Sequence, residues 1–284
     1  MLDALPIILT VAAFVVHLVG LRMTEKRTAP KRIPALRRRA YTFYAGLFAL
    51  LLAVATPLDT WSQKLLWTHM IQHVLLLAVA APLIVAGAPW WLLFWRPLPL
   101  GFRRWMARAW ASSGGWLAPV HALWRRLARP IGALIAYSIV VLGWHVPALY
   151  DATLKNINVH GLEHIMFLVA GIVLFLQVIP SPPFKPTLSY PKRIALMGGA
   201  MLVNIVLSMA LAFSQSPLYP YYAHIVNRPG NISAMTDQQI AAGIMWSAGD
   251  LPFALVVAWL AYAWMAQIER DTDETGRGAE AVTS

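Results

Sequence analysis

Seven stretches of this chain are apolar for long enough to cross a lipid bilayer, at roughly 3–21, 40–57, 65–87, 131–147, 161–179, 193–213 and 239–266. A helical crossing takes about 20 apolar residues, and in hydrocarbon only helices and closed barrels satisfy their own backbone hydrogen bonds. The expected fold is an all-α membrane protein, a bundle of about seven transmembrane helices. Composition agrees, because 59% of the 284 residues are hydrophobic and only 12% are charged, well below the share a soluble surface needs. The stretch from Leu2 to Leu21 has no basic segment before it and no small-residue cleavage site, so it reads as a retained helix. Pro82 lies inside the third stretch and is expected to end or kink its helix.

Charge orients the bundle. A net charge of +11 in a soluble protein would suggest nucleic acid, but here the basic residues sort between alternate loops. If the apolar stretches are all spans, every one of the 23 Lys and Arg residues except Lys64, Lys155 and Arg228 falls on one side. That side is cytoplasmic by the positive-inside rule, which puts the N-terminus outside and the C-terminus in the cytoplasm. The segment Phe102 to Trp110, with Arg103, Arg104 and Arg108 among aromatic residues, suits a short helix on the inner leaflet, in contact with lipid. Residues 1–268 form the predicted transmembrane domain. Residues 269–284, acidic and glycine-containing, are expected to be a mobile cytoplasmic tail.

The same orientation gives the histidines a depth. His69, His73, His145, His160, His164 and His224 fall toward the outer side, leaving His17 and His121 toward the cytoplasm. His69/His73 and His160/His164 are each spaced i, i+4, which puts both imidazoles on one helical face. One such pair is weak evidence, since polar residues near a helix end also satisfy interfacial hydrogen bonds. Two pairs plus His145 on three helices favour a shared metal, because ionisable groups within spans are costly and face a bundle interior. The chain has no cysteine, so thiolate chemistry is excluded and methionine is the available soft donor. Met70, Met166, Met209, Met235 and Met245 all map to the outer half or outer loop.

The candidate ligands are therefore His69, His73, His145, His160 and His164, with Met245, Met166 and Asp250 as possible additions. Glu163 and Asp151 are candidates to fix an imidazole tautomer, although each alone reads more readily as an ordinary interfacial or loop carboxylate. Asp250, inside the last span, is either paired in the bundle or functional. Asn204 and Ser208 are read as interhelical hydrogen-bonding residues. No nucleophile–base set, phosphate loop or paired catalytic carboxylates can be assembled, so no enzyme is expected.

The strings THMIQHVLL (68–76), APLIVAGAP (81–89), HVPALYDATLKNINVHGLEHIMF (145–167), LSYP (188–191), PLYPYY (217–222) and DQQIAAGIMW (237–246) occur in one chain and in order. In these the sequence resembles the polytopic CtaG family of caa3-type cytochrome c oxidase assembly proteins, over residues 40 to 266. The resemblance implies a bacterial inner-membrane, multi-pass factor that binds copper, as Cu(I), and helps deliver it to a haem–copper oxidase subunit. A periplasmic copper donor would be a further partner, and no nucleic acid is involved. LFLQVIP (174–180) departs from the family's pattern, and so does Asp250. Two alternatives stay open: a haem b-binding membrane oxidoreductase and a metal-free structural scaffold.

Overall fold

The computed structural model describes the backbone of residues 5–55, 57–94, 96, 98–111, 118–127 and 129–283. Among the described residues the regular structure is helical, with one isolated bridge between Ser181 and Phe184. In chain order the helices are α1 (Leu5–Glu25), α2 (Ile33–Val54), α3 (Pro57–Ser62), α4 (Leu66–Gly87), α5 (Trp90–Phe94), α6 (Leu100–Ala111) and α7 (Ala118–Leu127). They continue as α8 (Pro130–Trp144), α9 (Pro147–Lys155), α10 (Ile157–Phe175), α11 (Tyr190–Ala212), α12 (Pro220–Ala223) and α13, which starts at Ala234 and runs to Thr283.

Each of the seven apolar stretches is mostly helical over its described residues, and five of them, in α1, α4, α10, α11 and α13, are long and apolar enough to cross a membrane. The other two fall short for separate reasons. Helix α2 carries Arg37, Arg38 and Arg39 within its 22 residues, and α8 has only 15 residues. Helices α7 and α8 reach spanning length together only across a 95° bend, which gives up to six spans. The basic segment at Phe102 lies in α6; the side chains of Trp105, Met106 and Trp110 lie outside the described residues, as does that of His121.

Helix α4 is the centre of the bundle. Of its apolar window 61% is buried, against 22% for α1 and 11% for α13. It packs against α2, α10 and α13. In lipid the hydrophobic effect does not drive helices together, so close backbone approach matters more. Gly171 of α10 sits where a Cβ would lie 2.9 Å from the Leu77 carbonyl oxygen, and Gly87 where one would lie 2.7 Å from the Phe43 backbone nitrogen. An alanine at either position would push α10 or α2 away from α4.

Of the two outcomes expected at Pro82, an end or a kink, the helix does not end there. Helix α4 widens into a π turn over Leu75–Ala80 and continues as an α-helix through Pro82 to Gly87. Proline lacks the N–H that closes the preceding turn, and a widened turn just before it accommodates the mismatch. Helix α13 has a π turn of its own at Met245–Gly249, and residues of both turns line one cavity.

Two polar ties fix the packing. Tyr137 of α8 donates to Asn204 Oδ1 of α11 at 2.8 Å, and Asn204 Nδ2 donates to Asp250 Oδ1 of α13 at 3.0 Å. Asn204 is thus the interhelical residue the sequence suggests, and Asp250 is paired in the bundle. The second tie is at the start of α4, whose own N-cap residue, Leu65, offers no side-chain acceptor. There the Leu66 and Trp67 N–H groups donate to the two oxygens of Asp237 at 3.0 Å each. Arg228 Nε lies 3.4 Å from the same carboxylate. A residue 171 positions away therefore caps the central helix.

Candidate metal centre

Helices α4 and α10 each turn one face toward the other. His69 and His73 are one turn apart on α4, and His160, Glu163 and His164 follow i, i+3, i+4 spacing on α10, which stacks them on a single stripe. One donor atom from each of His69, His73, Glu163 and His164 lies within 4.8 Å of the others, and all four residues are buried. Donor atoms of a tetrahedral site with bonds of about 2.0 Å are about 3.3 Å apart. Glu163 already meets that spacing, with Oε2 at 3.3 Å from His69 Nε2 and Oε1 at 3.4 Å from His73 Nε2.

The hydrogen-bond pattern leaves these donors pointing at one another. Tyr222 Oη donates to the Ser62 carbonyl, so its oxygen is left to accept from His69 Nδ1 at 3.3 Å. Burial pushes the Tyr222 phenol well above its ordinary range, which keeps that proton in place. With Nδ1–H committed, a neutral His69 presents the Nε2 lone pair to the Glu163 carboxylate. Two acceptors then face each other, and a proton or a metal cation has to lie between them. Both nitrogens of His73, Nε2 of His160, Nε2 of His164 and Oε1 of Glu163 are buried without a hydrogen-bond partner among the described residues. Such atoms cost free energy unless something satisfies them. The set is three imidazoles and a carboxylate, suited to zinc, copper, nickel or iron and selective for none of them.

The remaining predicted residues fall in different places. The His160 ring is 4.2 Å from that of His164 and 4.9 Å from that of His69, at the rim of the cluster. His145 ends α8 with its ring 5.6 Å from His73. Its Nε2 lies 3.5 Å from Met70 Sδ. Met245 lines a cavity of about 30 Å³ together with His73, His145 and Asn204. Met166 packs into the apolar core instead, because it is two residues from His164 and so on another face of α10. Asp250 faces Asn204 and not the imidazoles, and Asp151 accepts from the Tyr221 N–H and not from a histidine. Ser208 is buried without a partner among the described residues. His224 is exposed and donates to the Pro220 carbonyl at 2.6 Å, and His17 is buried 3.1 Å from Tyr44 Oη.

Sequence reading assigned Glu163 to a supporting role, yet its carboxylate is itself one of the four donors, 3.3 and 3.4 Å from His69 and His73. The signal for it was present, since Glu163 shares the helical stripe of His160 and His164. Tyr222 lies in the PLYPYY string, but nothing in its spacing marks its contact with His69, 153 residues away. The loop from α11 to α13 closes one end of the cluster, with Tyr219 Oη donating to the His145 carbonyl at 3.3 Å and Gln238 accepting from the Leu218 N–H at 2.7 Å.

A family model described as cytochrome c oxidase caa3 assembly factor (Caa3_CtaG) matches residues 15–267. The chain is 26% identical over 250 residues to an uncharacterized protein of Mycobacterium bovis and to another of Mycobacterium tuberculosis, which covers 85% of this chain and 36% of each relative. An uncharacterized protein of Mycobacterium leprae is 26% identical over 249 residues, 86% of this chain and 37% of that one. The chain thus spans about a third of the length of these curated relatives. No solved structure matches it.

Proposed function

The chain belongs to the caa3 cytochrome c oxidase assembly factor family, a family of multi-pass membrane proteins that are not enzymes, and from that premise we propose that it holds copper for delivery to a haem–copper oxidase. The observation that carries the proposal is the set of partnerless donors on His69, His73, Glu163 and His164, within reach of one ion. His160 and His145 flank the set and offer exchange partners as the ion arrives or leaves. Thiolate is absent, so release by ligand exchange needs no redox step from the protein.

The topology that goes with this reading has seven spans, the N-terminus outside and the C-terminus in the cytoplasm. The cluster then sits at the outer end of α4 and α10, on the side from which a periplasmic donor could load it. The excess of basic residues in the loops after α1, α5 and α10 supports that orientation. A haem has less support, since the imidazole rings pack against each other at 4.2–6.1 Å and the cavity lined by His73 and His145 is about 30 Å³.

Metal analysis of protein purified from copper-supplied cells tests the reading. About one copper per chain is expected, and a protein free of copper, whose His69→Ala and His164→Ala variants still support oxidase assembly, would overturn it. An intense Soret band would favour haem instead.

A further inference from the structure

Beside the His/Glu cluster lies a second pair of donors with different chemistry. His145 Nδ1 is 2.7 Å from the Val141 carbonyl oxygen, which can only accept, so Nδ1 carries the proton and the neutral ring leaves Nε2 with its lone pair. That lone pair points at Met70 Sδ, 3.5 Å away. A thioether sulfur has no proton to offer. Two acceptors are therefore held face to face, and Met70 and His145 are both buried. Bonds of about 2.0 Å to nitrogen and about 2.3 Å to sulfur, spanning this gap, subtend about 110° at a shared ion, as tetrahedral coordination requires. Space for an ion adjoins the His145 side of the pair, where a cavity of about 30 Å³ is lined by His145, His73 and a second thioether, Met245.

We infer that His145 and Met70, with Met245 across the cavity, form a separate site for a soft monovalent d10 cation such as Cu(I) or Ag(I). Imidazole plus thioether selects softer ions than three imidazoles and a carboxylate do. His73 stands between the two sites, its ring 4.5 Å from His69 and 5.6 Å from His145, and neither nitrogen makes a hydrogen bond among the described residues. It can follow an ion from one site to the other by ligand exchange, with no change in the ion's charge. This site does not require the His/Glu cluster to bind metal, although the hand-over through His73 rests on that reading.

The test uses the full chain in detergent, with Zn(II) added first to fill the His/Glu cluster and Ag(I) then titrated against a chelator. Wild type is expected to take one Ag(I), and Met70→Leu, a volume-conserving change, is expected to weaken it at least tenfold while leaving Zn(II) binding within twofold. In the ascorbate-reduced copper form, X-ray absorption should give a sulfur scatterer at about 2.3 Å. Methionine is its only protein source, because the chain has no cysteine. Unchanged Ag(I) affinity in Met70→Leu, or a copper shell of nitrogen and oxygen alone, overturns the proposal. Wild type that binds Ag(I) through Met70 but takes no Zn(II) supports this site and counts against the His/Glu reading instead.

Discussion

Glu163 and Asp237 are both fully buried carboxylates beside α4, and they are treated in opposite ways. Asp237 accepts two backbone N–H groups from the first turn of α4 and has the Arg228 guanidinium at 3.4 Å. Among the described residues Glu163 receives no backbone N–H bond and has imidazoles at 3.3 and 3.4 Å, with no hydrogen bond to Oε1. A carboxylate whose acceptor sites are filled is part of the scaffold. One left short of donors inside a ring of imidazoles is suited to a cation from outside. Asp250 is intermediate, with Oδ1 bonded to Asn204 and Oδ2 free of any partner among the described residues.

The largest effect expected from this contrast is on folding. Asp237→Ala uncaps α4 and strands a buried Arg228, and should destabilise the protein by about 3–5 kcal/mol, seen as a lower unfolding temperature in detergent. Glu163→Gln should do the reverse, lowering metal affinity about 100-fold while holding or raising the unfolding temperature of the metal-free protein, because a neutral amide can donate to a facing imidazole where the carboxylate needs a cation. If the two variants lose stability equally, the distinction between them fails. His164→Ala is expected to reduce the bound metal measured by mass spectrometry without uncapping any helix.

Tyr222→Phe sharpens the comparison further. It removes the acceptor that fixes the His69 tautomer and should weaken metal about tenfold, which competition with a chelator would measure. The smallest effect is on pH dependence. Burial holds the phenols of Tyr150, Tyr219 and Tyr222 above their ordinary value. The unfolded chain releases those protons first, so stability should fall as pH climbs past about 10, and Tyr222→Phe should flatten that fall in unfolding temperatures measured across the alkaline range.

Much of this was legible in the residues themselves. The apolar stretches mark the helices, since spanning a bilayer depends on local composition and length. The i, i+4 histidine pairs mark one face of α4 and one of α10, because helical periodicity is local too. Pro82 marks a disturbance but not its form, because a proline's consequence depends on whether the helix can widen ahead of it, which α4 does within a packed bundle. Met166 misled because depth in the membrane says nothing about which way a side chain turns.

The sequence by itself determined that this chain is a helical membrane protein with histidines stacked on helical stripes, for those are properties of contiguous residues. Only the tertiary structure decided that the stripes of α4 and α10 face each other and that Glu163 joins the imidazoles. It also decided that Tyr222 and the Val141 carbonyl set two tautomers and that Asp237 caps the central helix. Each of these depends on the rotation and depth of one helix against another. Those are fixed by close contacts such as Gly171 on Leu77 and by polar ties between residues far apart in the chain.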